Sequence, residues 1–338
     1  MTIKLVLLTT VAALFALTAP AHAGPAEAAD PPGTHPVDHV FVYVMENTSY
    51  KTVVGNKDAP YLNRLISKGA LATNYFGTGH VSLDNYLAMT SGVPPNPMTT
   101  SDCFIYLTAL CVQDATNIAD QLEAKGYSWK GYMDSMKEPC QHPPENTQDP
   151  YQTGYATRHD PFVYYRSIVD DQARCTSHVV ALPQLWKDIA AGSVPNYSFI
   201  TPDTCHDGHD SGSPCKHDGG IKEANLYAHK WVPKILHSAS YKNGGVIFVT
   251  FDEGGFGDDD TPGSATGGNA DYGGHVYTLL LSPNVAPGTK LEQSYNHYAQ
   301  LKTVEDVFCL DYLGGAASPG VASMIDALHQ PRCALEHS

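Results

Sequence analysis

The stretch HVFVYVM at residues 39–45, followed at once by Glu46-Asn47, decides the fold of this chain. An unbroken run of β-branched and aromatic residues, without polar alternation, predicts a strand that is buried on both faces. A second run of this kind, GVIFVTF at residues 245–251, also ends on polar residues, Asp252-Glu253. Strands buried on both faces are typical of parallel sheets covered by helices.

Segments of helical periodicity alternate with further short apolar runs along the chain. Predicted helices cover residues 60–70, 117–125, 182–191, 221–236 and 298–310, another begins near Ser82, and further strands cover 71–76, 127–133, 196–201 and 276–282. This alternation predicts an α/β fold with a mostly parallel central sheet and helices on both faces. Residues 137–178 are polar, rich in proline and contain two cysteines, which predicts a disulfide-containing insertion outside the core. We expect residues 38–338 to form one domain.

The first 23 residues have the organisation of a secretory signal peptide. Lys4 precedes an apolar run at residues 5–19, and Ala-His-Ala at 21–23 supplies the small residues of a cleavage site. The alternative, an uncleaved membrane anchor, needs a longer apolar run. We therefore expect cleavage near Ala23, a secreted or periplasmic protein, and a flexible leader over residues 24–37.

The charge of the chain limits its partners. There are 35 acidic residues against 20 Lys and Arg, which gives a formal net charge of -15. Basic residues form no cluster in the sequence, so nucleic acid is not an expected partner. Stable membrane insertion is not expected either, and the oligomeric state stays open.

Eight cysteines follow the predicted signal peptide. In an oxidising compartment an even number of cysteines favours disulfides over free thiols. Pairing nearest neighbours closes four short loops and gives the predicted bonds Cys103–Cys111, Cys140–Cys175, Cys205–Cys215 and Cys309–Cys333. The alternative for one region is a zinc site built from Cys205, His206, His209 and Cys215.

Polar side chains cluster where the predicted strands end. In a parallel sheet, ligands bind beyond the carboxyl ends of the strands, so these side chains are expected to converge. Carboxylates, amides, hydroxyls and imidazoles together suit a hard or borderline divalent cation. Each cluster also has a plainer interpretation as a turn, a helix cap or a surface loop tied by a disulfide. The clusters are Glu46-Asn47, His80 with Ser82, the run from Asp203 to Asp210 with His206 and His209, Asp252-Glu253, and His275.

Ser82 has the position that a nucleophile needs in such a site. The start of a helix favours an anion, because its first N–H groups and its dipole point there. A serine hydroxyl is a weak nucleophile until it is activated, and coordination to a metal can activate it. If the anion is a phosphoryl group bonded to the Ser82 oxygen, histidines at 80, 209 and 275 can hydrogen-bond its other oxygens or protonate the leaving group.

Six sequence motifs, which include the strand ends described above, follow one another along the chain. They are HVFVYVMENTSY (39–50), GHVSLDNYLAMTSG (79–92), PNYSFITPDTCHDGHD (195–210), VIFVTFDEGG (246–255), GHVYTLLLSPNVAPG (274–288) and YNHYAQLKTVED (295–306). With them the chain resembles the bacterial and fungal phosphoesterase family, which includes acid phosphatases and phosphatidylcholine-type phospholipases C. That family belongs to the alkaline-phosphatase-like superfamily, so the resemblance implies its fold.

The resemblance also implies roles for single residues. It implies a divalent metal held by Glu46, Asn47, Asp252 and Glu253, with Ser82 as the phosphorylated nucleophile beside it. It further implies that His80, His209 and His275 face the phosphate, and that His206 and Asp203 bind substrate. The stretch Thr204-Cys205-His206 differs from the asparagine-rich version of the family.

The expected activity is therefore hydrolysis of phosphoric esters. The phospholipase branch commonly carries extra C-terminal domains, and no apolar or basic membrane-facing stretch is visible here. We accordingly expect an acid phosphatase acting on soluble monoesters. The alternatives are a phospholipase C-type phosphodiesterase with the same site, a sulfatase-like ester hydrolase and a non-catalytic extracellular binding protein.

Overall fold

The computed structural model describes residues 36–149, 154–210, 215, 219–255 and 273–330. The predicted signal peptide and almost all of the predicted leader lie outside these residues. Within the described part of the chain, no helix is long and apolar enough to cross a membrane.

Ten strands are seen in the described residues: β1 (Val40–Met45), β2 (Ala70–Phe76), β3 (Ile105–Tyr106), β4 (Trp129–Met133), β5 (Thr147–Gln148), β6 (Val179–Ala181), β7 (Tyr197–Thr201), β8 (Val246–Phe251), β9 (Thr278–Leu281) and β10 (Thr289–Asn296). Eight of them form one sheet in the order β10-β2-β9-β8-β1-β7-β4-β6. All neighbours in this sheet are parallel except β9, which runs antiparallel to both β2 and β8. The predicted mostly parallel sheet is therefore confirmed.

Helices flank this sheet. They are α1 (Tyr50–Val53), α2 (Pro60–Ile66), α3 (Ser82–Ser91), α4 (Thr108–Cys111), α5 (Ile118–Ala124), α6 (Arg166–Val169), α7 (Gln172–His178), α8 (Pro183–Ala191), α9 (Gly220–Leu236), α10 (Ala239–Lys242) and α11 (His297–Phe308). Five 3₁₀ turns cover Thr99–Ser101, Thr157–His159, Pro161–Tyr164, Gly314–Ala317 and Ile325–Leu328. In the helical layers α3 packs on α11, and α2 packs on α9.

The apolar runs form the centre of the sheet for a simple reason. Every residue of β1 and β8 is buried, and the two strands lie side by side between β7 and β9. Only residues with apolar or aromatic side chains on both faces fit a strand covered by helices on both sides. The predicted boundaries of the long elements are accurate to within four residues, whereas β6, β10 and the short helices were not predicted.

The prediction that residues 137–178 lie outside the core is wrong for part of that segment. Phe162, Tyr164 and Tyr165 are fully buried, and they belong to the main hydrophobic core. The apolar run at residues 162–165 is only four residues long and has neither helical nor strand periodicity, so sequence pattern alone does not place it. Its disulfide, Cys140–Cys175, is present as predicted.

Two further predicted disulfides are confirmed, Cys103–Cys111 and Cys205–Cys215. The second bond contradicts the zinc alternative, because sulfurs joined to each other do not supply the thiolates that such a site needs. The fourth predicted pair, Cys309–Cys333, lies partly outside the described residues.

Candidate functional site

The register of the two central strands brings the first two acidic residues together. Met45 is paired with Phe251, so the next residues, Glu46 and Asp252, leave the sheet side by side. The Asp252 N–H donates to Met45 O at 2.9 Å, and the Glu46 N–H donates to Asp207 O at 3.0 Å. Both side chains are fully buried. The carboxyl edge of the sheet is thus built around carboxylates that have no access to solvent.

Ser82 lies against Glu46. Its Oγ–H donates to Glu46 Oε2 at 2.8 Å, and the hydroxyl of Tyr86, one helical turn later, donates to Glu46 Oε1 at 2.5 Å. The α3 helix has no side-chain cap, so the interpretation of Ser82 as a helix cap is wrong. We expected the first N–H groups of this helix to be available to a phosphate. The N–H of Leu83 instead donates to Asp102 Oδ1 at 2.9 Å.

Asn47 links the ends of β1 and β8. Its backbone N–H donates to Asp252 Oδ1 at 3.0 Å, and its Nδ2 donates to Glu253 Oε1 at 2.8 Å. The backbone of Asn47 is left-handed, with φ of 45°, a conformation that asparagine tolerates better than most residues. His80 Nδ1 pairs with the other Glu253 oxygen, Oε2. The structure therefore places Ser82, His80 and all four predicted metal ligands in one connected group.

This group carries more buried negative charge than its own hydrogen bonds compensate. Burial, followed by the charges of Asp252 and Asp207, raises the pKa of Glu46 well above its usual range. Burial also raises the pKa of Asp252 to about 6 and that of Glu253 to about 8. Asn47 Oδ1 and Asp252 Oδ2 are buried without a hydrogen-bond partner among the described residues. Unpaired oxygens beside crowded carboxylates fit a divalent cation, which would satisfy both.

The loop after β7 adds His209 and Asp207 to this edge. His209 is about half exposed, and its hydrogen bond with Asp210 raises the pKa of the imidazole. The His209 N–H donates to Asp207 Oδ1 at 2.9 Å, while Asp207 Oδ2 is buried and unpaired within the described chain. A solvent-accessible imidazole with a raised pKa thus borders the buried carboxylates.

His159 belongs to this site, although the sequence analysis did not select it. Its ring is buried, with Nε2 at 3.4 Å from Glu46 Oε1 and Nδ1 at 3.7 Å from Asp207 Oδ2. It was missed because it lies in a polar, proline-rich segment that predicted an exposed insertion. The signal that could have found it is the apolar run at residues 162–165, which carries the neighbouring chain into the core.

Asp203 and His206 lie in a second group beside the main one. His206 Nδ1 lies 2.5 Å from Asp203 Oδ1 and 3.5 Å from Asp134 Oδ2, and its ring stacks on Tyr227. Although burial acts in the opposite direction, the hydrogen bonds to Asp134 and Asp203 raise the pKa of His206 to about 10. Asp134, Asp203 and His206 are close enough to share one metal ion, but the imidazole already pairs with both carboxylates. Their role in substrate binding stays a prediction.

His275 is held by other contacts at the same edge of the sheet. Its Nε2 donates to Thr73 O at 2.9 Å, and its ring stacks on Tyr50 at 4.3 Å between centroids. These contacts tie His275 to the backbone of β2, and its predicted catalytic role stays a prediction. His297 supports the acidic group from behind, because its Nε2 pairs with the carbonyl oxygen of Asp252.

Asp84 is a further buried carboxylate that the sequence did not single out. Neither of its oxygens has a hydrogen-bond partner among the described residues, and a Cβ on Gly79 would lie 2.6 Å from Oδ2. The carboxylate therefore packs directly on the backbone of the His80 loop. Burial, followed by the charge of Glu253, raises the pKa of Asp84 from 3.8 to about 8.

We expect Asp84→Asn to weaken the pH dependence of stability in chelator-treated protein. The raised pKa means that the contribution of Asp84 to stability is fully present below pH 3.8 and is lost as the pH rises through about 8. Between pH 5 and pH 8.5 this loss is about 2–4 kcal/mol. Urea unfolding at the two pH values measures it. An equal loss in wild type and Asp84→Asn would contradict the assignment.

The chain is similar in sequence to several known proteins. A sequence profile described as the phosphoesterase family matches residues 56–311. A probable acid phosphatase of Kluyveromyces lactis is 28% identical over 280 residues, which cover 81% of this chain and 59% of the relative. A phosphatidylinositol-3-phosphatase of Mycobacterium tuberculosis is 26% identical, with 83% of this chain and 80% of the relative covered. The chain spans a little over half the length of the fungal acid phosphatases that it matches.

Solved structures support the fold. A protein of the alkaline phosphatase superfamily from Vibrio parahaemolyticus superposes with a TM-score of 0.57 at 15% identity, covering 90% of this chain and 72% of that chain. This likeness confirms the alkaline-phosphatase-like architecture predicted from the sequence.

Proposed function

This chain belongs to the phosphoesterase family, and we propose that it is a metal-dependent phosphomonoesterase of the acid phosphatase kind that acts through Ser82. The single observation that carries the proposal is the hydrogen bond from Ser82 Oγ to Glu46 Oε2 within the group of buried carboxylates. A hydroxyl that donates to a buried carboxylate beside a cation site is held ready for deprotonation and attack.

The first half of the reaction transfers the phosphoryl group to Ser82. Glu46 accepts the Ser82 proton, Oγ forms a bond to phosphorus, and the bond from phosphorus to the ester oxygen breaks. The hydroxyl of Tyr86 holds the other Glu46 oxygen, which fixes the carboxylate in the orientation that Ser82 requires. The product of this half is a phosphoserine and an alkoxide that needs a proton.

His209 is the group best suited to supply that proton. The hydrogen bond with Asp210 raises the pKa of its imidazole, which favours the protonated form, and its partial exposure lets it exchange protons with water. After the alcohol leaves, neutral His209 takes a proton from the water that attacks phosphorus. The bond between phosphorus and Ser82 Oγ then breaks, and Glu46 returns its proton to Oγ. His80, oriented by Glu253, hydrogen-bonds a phosphoryl oxygen during both halves.

Glu46, Asn47, Asp252 and Glu253 would hold the divalent cation. When bound, the cation supplies positive charge that stabilises the serine alkoxide and a phosphoryl oxygen. The support for this assignment is the pair of buried, unpartnered oxygens, Asn47 Oδ1 and Asp252 Oδ2. The Asn47 hydrogen bonds to Asp252 and Glu253 fix the spacing of the ligands before any ion arrives.

The first experiment measures substrate preference. We expect the chain to hydrolyse p-nitrophenyl phosphate faster than bis(p-nitrophenyl) phosphate, p-nitrophenyl sulfate and dispersed phosphatidylcholine. Activity should be lost after chelation and return with one of Mg²⁺, Mn²⁺, Zn²⁺ or Ca²⁺. The measurement is initial rate for each pair of substrate and metal.

The outcomes separate the alternatives. A faster diester or phosphocholine release would replace the monoesterase by a phospholipase C-type enzyme, and a faster sulfate would replace it by a sulfatase. No turnover with any metal would favour a non-catalytic binding protein. A phosphoinositide monoester belongs in the same panel, because one relative is named a phosphatidylinositol-3-phosphatase.

We also propose that the protein is exported after cleavage near Ala23. The support is the signal-like sequence of residues 1–23, together with three disulfides, which form in oxidising compartments. Mass spectrometry of the protein from the medium or periplasm measures its N-terminus. A chain that keeps residues 1–23, or that stays in the cytoplasm, would refute export.

A further inference from the structure

We propose that His159 is an imidazole ligand of the cation held at Glu46, and that Asp207 orients its ring. This inference rests on the metal dependence contained in the proposed function, and it adds a nitrogen ligand to a predicted set of oxygen ligands. It also assigns a role to His159 and Asp207, which the mechanism above does not use.

The first support is that both ring nitrogens of His159 are buried without a hydrogen bond. The residue is only 3% exposed, and neither ring nitrogen has a hydrogen-bond partner among the described residues. A buried polar group without a partner costs free energy, of the order of 1–3 kcal/mol. A phenylalanine would fill the same space without that cost, so the nitrogens need a ligand to explain them.

The second support is the distance between Nε2 and the Glu46 carboxylate. His159 Nε2 lies 3.4 Å from Glu46 Oε1. Two ligands that bind one tetrahedral ion at about 2.1 Å are separated by about 3.4 Å. The two atoms therefore have the spacing of neighbouring ligands, and they belong to residues that other contacts already hold in place.

The third support is Asp207 on the opposite side of the ring. Its Oδ2 is buried and lacks a partner within the described chain, and it lies 3.7 Å from His159 Nδ1. A carboxylate facing the second nitrogen is the usual companion of a metal-bound histidine, because it fixes the ring and its tautomer. Small movement of the ring toward Asp207 would complete that hydrogen bond.

The backbone and ring of His159 are held rigidly. The ring stacks on Tyr86 at 5.5 Å between centroids, and Tyr86 also donates to Glu46. The carbonyl of His159 accepts from Thr201 Oγ1 at 3.2 Å, which anchors the turn to the end of β7.

An imidazole ligand changes which ion the site prefers. Oxygen ligands alone suit Mg²⁺ and Ca²⁺, whereas imidazole suits Zn²⁺ and other transition metals. His159 should therefore increase the affinity for Zn²⁺ and Co²⁺ while it has little effect on the affinity for Mg²⁺.

The test compares His159→Phe with wild type after metal removal, using calorimetric titration with Zn²⁺ and, separately, with Mg²⁺. We expect His159→Phe to weaken Zn²⁺ binding by about 10–100-fold or more and to leave Mg²⁺ binding nearly unchanged. The visible absorption of bound Co²⁺ should also change, because it reports the ligand set. Asp207→Asn should weaken Zn²⁺ binding by about tenfold.

His178→Phe is the matched control, because His178 also stacks on an aromatic ring, that of Trp129, but lies in α7. It should leave Zn²⁺ affinity and the Co²⁺ spectrum unchanged. Metal-free His159→Phe should unfold at the same or a higher urea concentration than wild type, since it removes two unpaired nitrogens. A merely structural histidine predicts the reverse.

Three results would overturn the inference. The first is an unchanged Zn²⁺ affinity and Co²⁺ spectrum in His159→Phe, which would assign the nitrogens to water in the cavity of about 10 Å³ that His159 lines. The second is an equal loss of Zn²⁺ and Mg²⁺ affinity, which would mean collapse of the Glu46 geometry. If His159→Phe does not fold, His159→Asn is used in its place. The third result is then an unchanged Zn²⁺ affinity in His159→Asn.

These titrations contain no phosphate ester. A protein that binds Zn²⁺ through His159 but hydrolyses no ester would therefore refute the proposed esterase activity and leave the ligand assignment standing.

Discussion

Ser82→Ala is expected to lower kcat for a phosphate monoester by about 10⁴–10⁶-fold, because it removes the only atom that forms the covalent intermediate. The fold should be retained. Ser82 makes no capping hydrogen bond, and its Oγ interacts with Glu46, whose carboxylate keeps the hydrogen bond from Tyr86. The measurement is kcat with p-nitrophenyl phosphate, together with the unfolding transition of the variant.

Ser91→Ala is the matched control for this variant. Ser91 is a buried serine at the other end of the same helix, where its Oγ donates to Leu87 O. It should retain most of the activity. Wild-type protein quenched in acid during turnover should also carry a phosphoryl group on Ser82 by mass spectrometry. Turnover retained in Ser82→Ala would refute the nucleophile assignment, whatever the behaviour of the control.

Glu46→Gln should have the second largest effect, through the metal. Replacing a charged ligand by an amide of the same shape is expected to weaken divalent metal binding by more than the 10–100-fold that outer-shell changes cost. It also removes the acceptor of the Ser82 proton, so kcat should fall by about 10²–10⁴-fold even at saturating metal. Calorimetric titration and initial rates measure the two effects separately.

The same substitution should stabilise the metal-free protein near neutral pH. Burial raises the pKa of Glu46, so a charged Glu46 costs free energy that an amide does not. Glu305→Gln is the matched control, because Glu305 is fully buried in α11 and burial raises its pKa to about 8. Both variants should resist urea better than wild type without metal, and only Glu46→Gln should lose metal binding. Equal metal affinity in Glu46→Gln and wild type would contradict the assigned site.

Part of this site was predictable because sheet topology is simple near its centre. The two longest buried runs had to be central strands, and the residues directly after parallel neighbours had to meet at one edge. Glu46 and Asp252 therefore came together as expected. Ser82 was expected near them because it begins the helix that follows β2 and because of the family resemblance, and in the structure its Oγ contacts Glu46.

Other parts of the site could not be predicted from the sequence, because their positions depend on how loops pack. His159 reaches the site through a turn within a long polar segment, and no periodicity places such a residue. Asp207 and His206 are neighbours in sequence, yet one faces His159 and the other pairs with Asp134 and Asp203. The direction in which a loop side chain points is set by backbone angles and packing that a single sequence does not display.

The buried runs of the sequence determined the mostly parallel sheet, and nearest-neighbour pairing predicted the three disulfides seen here. The ordered motifs, through the resemblance that they carry, indicated the family and the group of Glu46, Asn47, Ser82, Asp252 and Glu253. These predictions were possible because a buried run, a short disulfide loop or a motif is recognised from residues near one another in sequence, without knowing which distant segments touch. Only the tertiary structure decided that Ser82 does not cap its helix, that Asp102 occupies the Leu83 N–H, and that His159 lies between Glu46 and Asp207. The physical reason is that each of these facts is a contact between segments far apart in sequence, fixed by how the loops pack on the sheet.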